Sequence, residues 1–229
     1  EVGMALYNVV SCAMYKHDRF AVTISNLQRK MVKSLLKFGV GQECATEGLV
    51  HLIDLISTEA ISKLFTYRVR CYSFCENCKD LQKHGIDYGI TLNLFHITHP
   101  ITNDTEFIQN LKYHNSKTDI KCKCGYLLTR RYYLTMAPPI LVIVFNKFNN
   151  GTGQYIPTSV SLNGTENRIL EYTQVAQIEH HGTMHGGHYF AKCLRSDGVY
   201  LLNDSSVSPD KFSPTNNTYI VIYNFKKYN

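Results

Sequence analysis

Two closely spaced cysteine pairs limit what this chain can fold into more than any other feature. The pairs are Cys75-x-x-Cys78 and Cys122-x-Cys124, and each adjoins turn-forming residues. Cysteines this close in sequence do not form unstrained disulfides within a pair, whereas metal sites favour such spacing. Four thiolates would make a closed tetrahedral zinc site with no open position for catalysis. We therefore expect Zn²⁺ to join the tips of two hairpins that have little core of their own.

Other interpretations of the cysteines stay open at this point. The paired residues could be ordinary buried cysteines, and Cys71, four residues before Cys75, could compete as a ligand. The remaining cysteines are scattered along the chain, which does not suggest a disulfide framework. Eight cysteines used in this way fit a reducing, intracellular compartment.

The composition is that of a globular protein. The chain has 229 residues, of which 44% are hydrophobic and 18% charged, and it is long enough to bury a sizeable core. The net charge of +6 is spread along the sequence, so nucleic-acid binding is only weakly indicated and we expect none. No apolar run approaches the roughly 20 residues of a membrane span, and the N-terminus lacks a secretory pattern. Because the sequence begins at Glu1, we expect it to be a segment of something longer.

Helical patterns come first along the chain and strand patterns follow. Apolar residues recur at helical spacing in residues 13–38, and a second helical pattern runs from 44 to 56. From Leu64 onward, alternating patterns and turn residues dominate, and Ile140–Phe145 is typical of a buried strand. The sequence predicts an α+β protein with a helical subdomain, then a sheet subdomain that carries the cysteine pairs.

A histidine at the start of a predicted strand is the candidate general base. His188 follows Gly186 and Gly187, and Asn203 lies fifteen positions further on, where the next strand could bring it alongside. A neutral imidazole that must accept a proton needs its other nitrogen held by such a partner. The segment therefore predicts a base and its orienting residue, but it contains no nucleophile.

Cys12 is the best candidate for that nucleophile. Ser11 before it can cap a helix, and the N-terminus of a helix favours a thiolate. Asn8 could donate an amide hydrogen to a developing oxyanion. From the residues alone, a buried core cysteine is an equally good interpretation of Cys12.

Taken together, these segments resemble the ubiquitin-specific proteases, a family of papain-like cysteine hydrolases. The matching segments are Gln42–Leu49, similar to the family's second box; the two cysteine pairs, similar to its fingers zinc site; Ala137–Phe148, similar to its Leu-Pro strand; and His181–Tyr189 with Leu202–Asp204, similar to its His box. The resemblance implies a papain-like cysteine protease fold in one catalytic domain. Its parts would be a helical thumb at residues 1–64, zinc-bearing β fingers at 65–135 and a β-sheet palm at 136–229.

The resemblance also implies roles for single residues. His188 would be the general base, Asn203 would orient it, and Asp204 would assist. Glu47 would meet the basic tail of ubiquitin, although Cys44 stands where the family usually has a second carboxylate. The residues expected to contact the Gly-Gly end of the substrate are Gly186, Gly187 and Tyr189.

The family's first box matches in two registers. One register needs a small insertion and a deletion, and it makes Cys12 the nucleophile and Asn8 the oxyanion donor. A gapless register leaves Leu6 or Met4 near the thiol position, which would make the protein an inactive relative that only binds. We favour Cys12, because a retained histidine, asparagine and Gly-Gly segment make most sense beside a working thiol.

The predicted function is therefore that of a thiol-dependent deubiquitinase. It would cleave peptide or isopeptide bonds after the C-terminal Gly of ubiquitin or of a ubiquitin-like modifier. We expect an intracellular monomer with ubiquitin as its partner, and no contact with nucleic acid or membrane. The alternatives are a catalytically inactive ubiquitin-binding module and a viral papain-like protease that acts on a polyprotein.

Overall fold

The computed structural model describes residues 26, 29–30, 44–56, 58–94, 97, 100–145, 154–163, 169–183, 185–213 and 215–228. The chain divides into two compact units, residues 1–62 and 63–229. The predicted nucleophile Cys12, the predicted oxyanion donor Asn8, and the alternatives Met4 and Leu6 all lie outside the described residues.

Helices occur both before and between the strands. Among the elements whose bounds the structure describes, the helices are α1 (Ala45–Ile56), α2 (Glu59–Phe65) and α3 (Asp104–Lys112). Helix α1 confirms the second helical pattern of the sequence, and its Ile53 is buried. Helix α3 begins at the cap residue Asn103, whose side chain accepts a hydrogen bond from the Glu106 N–H. The sequence pattern did not predict α3, because this nine-residue helix contains few apolar residues.

The strands form two sheets. They are β1 (Tyr67–Cys75), β2 (Leu81–Gly89), β3 (Thr91–Leu94), β4 (Tyr113–Lys121), β5 (Leu127–Met136), β6 (Ile140–Phe145), β7 (Ser159–Asn163), β8 (Ile169–Thr183), β9 (Gly186–Arg195), β10 (Gly198–Asn203), β11 (Ser206–Asp210) and β12 (Thr218–Tyr228). The smaller sheet has the order β2-β1-β5-β4. The larger sheet has the order β11-β10-β9-β8-β12-β6-β3, with β7 paired to β8.

The main hydrophobic core lies between α3 and the larger sheet. Strand β6 runs parallel to β3 and antiparallel to β12, and all its residues after Ile140 are buried. This position explains its continuous apolar run, which sequence analysis predicted as a buried strand. Phe107 of α3 packs its ring against those of Phe145 and Tyr223, with centroids 6.4 and 6.2 Å away.

The smaller sheet places the β1–β2 turn and the β4–β5 turn at the same end of the sheet. Strands β1 and β5 pair antiparallel, from Arg68 opposite Met136 to Cys75 opposite Leu128. The β1–β2 turn and the β4–β5 turn therefore lie side by side. The range predicted for the fingers, 65–135, contains more than this sheet, since β3 joins the larger sheet and α3 packs in its core.

Strands β8, β9, β10 and β11 follow one another as an antiparallel series. Each strand pairs with the next one in the chain, so residues up to 17 positions apart, such as Ala176 and Cys193, lie opposite each other. This series carries the segment that sequence analysis singled out for a base and its orienting residue.

Candidate active site

Strands β9 and β10 bring the predicted base and its predicted orienting residue into contact. His188 is the third residue of β9, Asn203 is the last residue of β10, and His188 Nε2 lies 2.6 Å from Asn203 Oδ1. The ladder between these strands ends with Leu202 opposite Ala191, one position before Asn203. Antiparallel pairing thus joins two side chains that are fifteen positions apart in the sequence.

This contact determines which nitrogen of His188 can act as a base. An amide oxygen only accepts hydrogen bonds, so Nε2 carries the hydrogen and donates it to Asn203. Nδ1 then keeps its lone pair, which makes it the nitrogen able to take a proton from a nucleophile. The pair therefore has the chemistry of a base held in one tautomer by a neutral partner.

A two-residue turn holds Asn203 at the end of its strand. Asn203 pairs with Ser206, so Asp204 and Ser205 form the turn. Asp204 has a φ of 51°, a left-handed conformation that Asp tolerates better than most residues. Its Oδ2 lies 3.9 Å from His188 Nε2, and its side chain is 80% exposed. Solvent screening makes this charge a weaker influence on the imidazole than the hydrogen bond from Nε2 to Asn203.

Close packing of the strands explains the glycines around His188. A Cβ on Gly187 would overlap the ring of His180 and the carbonyl of His181. Gly182, directly opposite Gly187, has a φ of +140° and likewise has no room for a Cβ. These glycines let β8 and β9 approach each other next to His188. A role of Gly186 and Gly187 in contacting the substrate stays a prediction.

Tyr189 lies on the face of β9 opposite to His188, because successive side chains of a strand alternate. Tyr189 pairs with His180, with ring centroids 4.3 Å apart, and its centroid is 6.1 Å from that of Tyr219. His188 instead shares its face with His181, its direct partner on β8. The structure does not bring Tyr189 to the base, so a substrate contact by Tyr189 would have to come from the other face.

Glu47, the predicted contact for the basic tail of ubiquitin, belongs to the N-terminal unit. It lies in the first turn of α1 and is exposed. Its contact with ubiquitin stays a prediction.

The four paired cysteines converge at the end of the smaller sheet. Their Sγ atoms all lie within 4.8 Å of one another. The contacts run between the pairs: Cys75 Sγ is 3.4 Å from Cys124 Sγ, and Cys78 Sγ is 3.5 Å from Cys122 Sγ. A tetrahedron of thiolates around zinc has edges of about 3.8 Å, so this cluster could hold a metal ion.

Backbone hydrogen bonds shape the cysteine cluster. The Cys122 N–H donates to the Tyr126 carbonyl, and the Gly125 N–H donates to the Cys122 carbonyl, which closes a tight turn around Cys124. The Tyr126 N–H, and next the thiol of Cys75, lower the pKa of Cys124 to about 6. A thiolate is the form that binds metals, so the turn favours the ligand state of this cysteine.

The sequence pattern did not reveal a pair of buried charged residues on the sheet face that carries His188. Glu179 on β8 and Lys192 on β9 are only 2% and 6% exposed. Polar residues at every second position, here Gln177, Glu179 and His181, usually mark the solvent side of a strand. The charges of Glu179 and Lys192 were the available signal, but no pattern within a strand shows what covers it. The residues that contact this face include Lys211, Ser213, Thr215 and Thr218.

Comparison with known proteins connects this geometry to a family. A family model described as ubiquitin carboxyl-terminal hydrolase matches residues 13–223. The chain belongs to the ubiquitin carboxyl-terminal hydrolase family. The resemblance predicted from the sequence motifs is thereby confirmed.

Individual members of the ubiquitin carboxyl-terminal hydrolase family match with low identity. Human ubiquitin carboxyl-terminal hydrolase 21 is 27% identical over 113 residues, which cover 44% of this chain and 20% of that protein. Mouse ubiquitin carboxyl-terminal hydrolase 17-like protein A is 25% identical over 170 residues, which cover 68% of this chain and 32% of that protein. The chain therefore spans about a fifth to a third of the length of these relatives.

Solved structures confirm the predicted fold. A structure of the SAGA DUB module of Ubp8, Sgf11, Sus1 and Sgf73, bound to monoubiquitin, matches with a TM-score of 0.68 and 18% identity, covering 93% of this chain and 55% of that chain. A structure of the same module bound to ubiquitin aldehyde matches with a TM-score of 0.64 and 18% identity, with the same coverage. Within the described part of the chain, no helix is long and apolar enough to cross a membrane.

Proposed function

We propose that this chain is a thiol-dependent deubiquitinase that cleaves after the C-terminal Gly of ubiquitin. The observation that carries the proposal is the 2.6 Å contact between His188 Nε2 and Asn203 Oδ1 in a chain that belongs to the ubiquitin carboxyl-terminal hydrolase family. The matching structures of the SAGA module with monoubiquitin and ubiquitin aldehyde support ubiquitin as the substrate.

The proposed reaction begins with proton transfer from the Cys12 thiol to His188 Nδ1. The resulting thiolate attacks the carbonyl carbon of the terminal Gly, a C–S bond forms, and Asn8 steadies the oxyanion. The C–N bond to the leaving amine then breaks, and His188 returns its proton to that amine. Water, deprotonated by His188, then attacks the thioester carbonyl carbon and forms a C–O bond. The C–S bond breaks, His188 returns the proton to the Cys12 thiolate, and ubiquitin leaves with a free C-terminal carboxyl group. Throughout, Asn203 holds the imidazole in the Nε2–H tautomer.

An inactive ubiquitin-binding module is the second candidate. The family match begins at residue 13, directly after Cys12, so it includes neither Cys12 nor the segment before it. The gapless register of the first box, with Leu6 or Met4 near the thiol position, is the sequence feature behind this candidate.

A probe that reacts with the nucleophile separates these candidates. The protein is incubated with ubiquitin that carries a C-terminal electrophile, and adducts are measured by intact-protein mass spectrometry. We expect one adduct, lost in Cys12→Ala and retained in the matched control Cys44→Ala. Ubiquitin binding without an adduct would favour the inactive module. Inertness toward ubiquitin, with an adduct on a probe made from another modifier, would move the substrate to a ubiquitin-like protein. Inertness toward every modifier would favour a papain-like protease that acts on a polyprotein.

We also propose that the cysteine cluster binds a structural Zn²⁺. The ligands would be Cys75, Cys78, Cys122 and Cys124, whose Sγ atoms lie within 4.8 Å of one another. Zinc with four thiolates is coordinatively closed, so it would join the β1–β2 and β4–β5 turns and take no part in bond cleavage.

An intracellular location fits the described cysteines, none of which is joined by a disulfide. The monomeric state stays a prediction, since Ubp8 in the matching structures belongs to a multi-protein module.

A further inference from the structure

Two buried, oppositely charged side chains lie on the sheet face that carries His188. Lys192 follows His188 by four positions on β9, and side chains at every second position of a strand share a face. Lys192 Nζ is 3.7 Å from Glu179 Oε1 on β8, and both residues are buried. Removing two charges from water is unfavourable unless further hydrogen bonds satisfy them, so their other contacts are informative.

Lys192 reaches beyond Glu179 to the strand at the edge of the sheet. Its Nζ lies 3.2 Å from Asp210 Oδ2, at the end of β11. The same ammonium donates to Ser213 Oγ at 3.2 Å and to the Lys211 carbonyl at 3.4 Å. The Lys211 N–H, and then Lys192, lower the pKa of Asp210, which keeps its carboxylate charged.

Three residues other than Lys192 contact the carboxylate of Glu179. Its Oε1 accepts a hydrogen bond from Gln177 Nε2, and its Oε2 accepts one from Thr215 Oγ1, both at 2.9 Å. Its Oε2 also lies 3.7 Å from Nε2 of His181, the residue directly opposite His188. The carboxylate is therefore fixed in position beside His181.

The β9–β10 ladder supports β10 but does not reach β11. It runs from Gly198 opposite Arg195 to Leu202 opposite Ala191. In the described part of the chain, β11 is the edge of the larger sheet, pairs with β10 alone, and is exposed along its whole length. Asn203 lies at the tip of this hairpin. The contact between Lys192 and Asp210 passes across β10 and joins β9, which carries the base, directly to β11.

We propose that Lys192 is a positioning residue for the His188–Asn203 pair. It acts through a charge cluster that consists of Lys192, Glu179 and Asp210. The cluster fixes the β10–β11 hairpin against β8 and β9, and so keeps Asn203 at hydrogen-bond distance from the imidazole. The effect on turnover rests on the proposed deubiquitinase function, whereas the effect on the geometry of His188 does not.

Two variants test the cluster without leaving a buried charge unpaired. The double variant Lys192→Met/Glu179→Gln removes both buried charges and keeps the side-chain volumes similar. Asp210→Ala removes the link to β11 at an exposed residue, where folding is least at risk. Asp210→Asn keeps an oxygen acceptor for Lys192. Its His188 tautomer and its kcat should therefore stay close to those of the wild type. The matched control is Asp119→Ala, which removes an exposed carboxylate from β4.

Two measurements read the result. Long-range ¹H–¹⁵N spectra report the tautomer of the His188 ring, and the His188→Gln variant assigns its signals. We expect one Nε2–H tautomer in the wild type and a mixture of tautomers in both test variants.

Hydrolysis of a fluorogenic ubiquitin C-terminal amide gives the kinetic result. In both test variants, kcat should fall roughly tenfold while KM changes less than about twofold, because misorientation of a base acts on the chemical step.

Unchanged ring spectra and an unchanged kcat in a folded Asp210→Ala protein would overturn the proposal, whether or not the double variant folds. If the wild type does not hydrolyse the substrate, the deubiquitinase proposal fails, and the ring spectra still decide whether Lys192 positions His188. A loss of kcat in Asp119→Ala as large as in Asp210→Ala would also count against it, since the effect would not be specific to the cluster.

Discussion

Asn203 acts on His188 through a single hydrogen bond, and at the scale of the residue this bond determines the chemistry of the site. The bond occupies Nε2 and leaves Nδ1 as the basic nitrogen. The nearby carboxylate of Asp204 is more distant and largely exposed. The neutral amide of Asn203 therefore influences the His188 imidazole mainly by orienting it. The charge of Asp204 has a smaller influence.

Replacing Asn203 tests that statement directly. In Asn203→Ala we expect kcat on a ubiquitin C-terminal amide to fall by roughly tenfold to a hundredfold, because the imidazole loses its fixed tautomer. Asn203→Asp keeps an acceptor and should retain most activity. Steady-state kinetics with both variants give the result, and equal activities in Asn203→Ala and the wild type would contradict the assigned role.

The sequence indicated some of the contacts between residues of the site and not others. The spacing of His188 and Asn203 suggested adjacent strands, and the structure brings the two into contact. The pairing of Glu179 with Lys192 was not predictable, because strand alternation says which face a residue is on but not what covers that face. Cys12 and Asn8 lie outside the described residues, and their roles stay predictions.

At the scale of the element, the β8–β9 hairpin depends on the close approach of its two strands. Gly187 faces the ring of His180, and no atom can be added there without moving backbone or a buried ring. The glycine is therefore a packing requirement of the hairpin, independent of any contact with substrate.

Gly187→Ala should accordingly destabilise the protein by about 1–3 kcal/mol, because the new methyl group overpacks the hairpin. Gly85→Ala on β2 is the matched control, since a Cβ there meets no atom within 4 Å. Urea denaturation of both variants measures the difference. Equal free energies of unfolding in the two variants would mean that β8 and β9 accommodate the methyl group without cost. That result would contradict the packing requirement at Gly187.

The two turns of the smaller sheet form the second element with a testable role. Zinc bound by the four cysteines would join turns that otherwise share little apolar contact, since the buried apolar cluster there consists of Cys75, Cys122 and Leu128. We expect one zinc ion per chain by elemental analysis. Cys78→Ser should lose the metal and lower the Tm by about 5 °C or more.

Cys193→Ser is the control for that experiment, because Cys193 lies on β9 and outside the cluster. It should keep its zinc. A protein that holds no zinc as purified, and whose Tm does not change with added zinc or with a chelator, would argue against a structural metal.

At the scale of the whole molecule, the main hydrophobic core supports the larger sheet, on which His188 lies. Phe107 is fully buried and contacts rings from two strands of the larger sheet, which links α3 to that sheet. Two buried tyrosines complete the arrangement by donating to backbone carbonyls: Tyr172 to Pro138 at 2.9 Å and Tyr223 to Pro157 at 2.6 Å.

Phe107→Ala should reduce the free energy of unfolding by about 3–5 kcal/mol, because it leaves a cavity in a closely packed core. Ile169→Ala, at an exposed position, should change stability much less. Chemical denaturation gives both values. The folded fraction of Phe107→Ala should keep the kcat of the wild type; a lower kcat per folded molecule would mean that α3 influences the site directly.

The sequence by itself indicated a helical region followed by a strand-rich one, the four cysteines that cluster, and the histidine and asparagine that the structure brings into contact. These features are local, or they follow from strong periodicity and from ligand spacing. The tertiary structure alone decided which thiols face each other, which rings pack against Tyr189, and that Glu179 and Lys192 are buried together. Such contacts join segments distant in the chain, and their energies depend on what packs over each face, which no pattern within a single segment records.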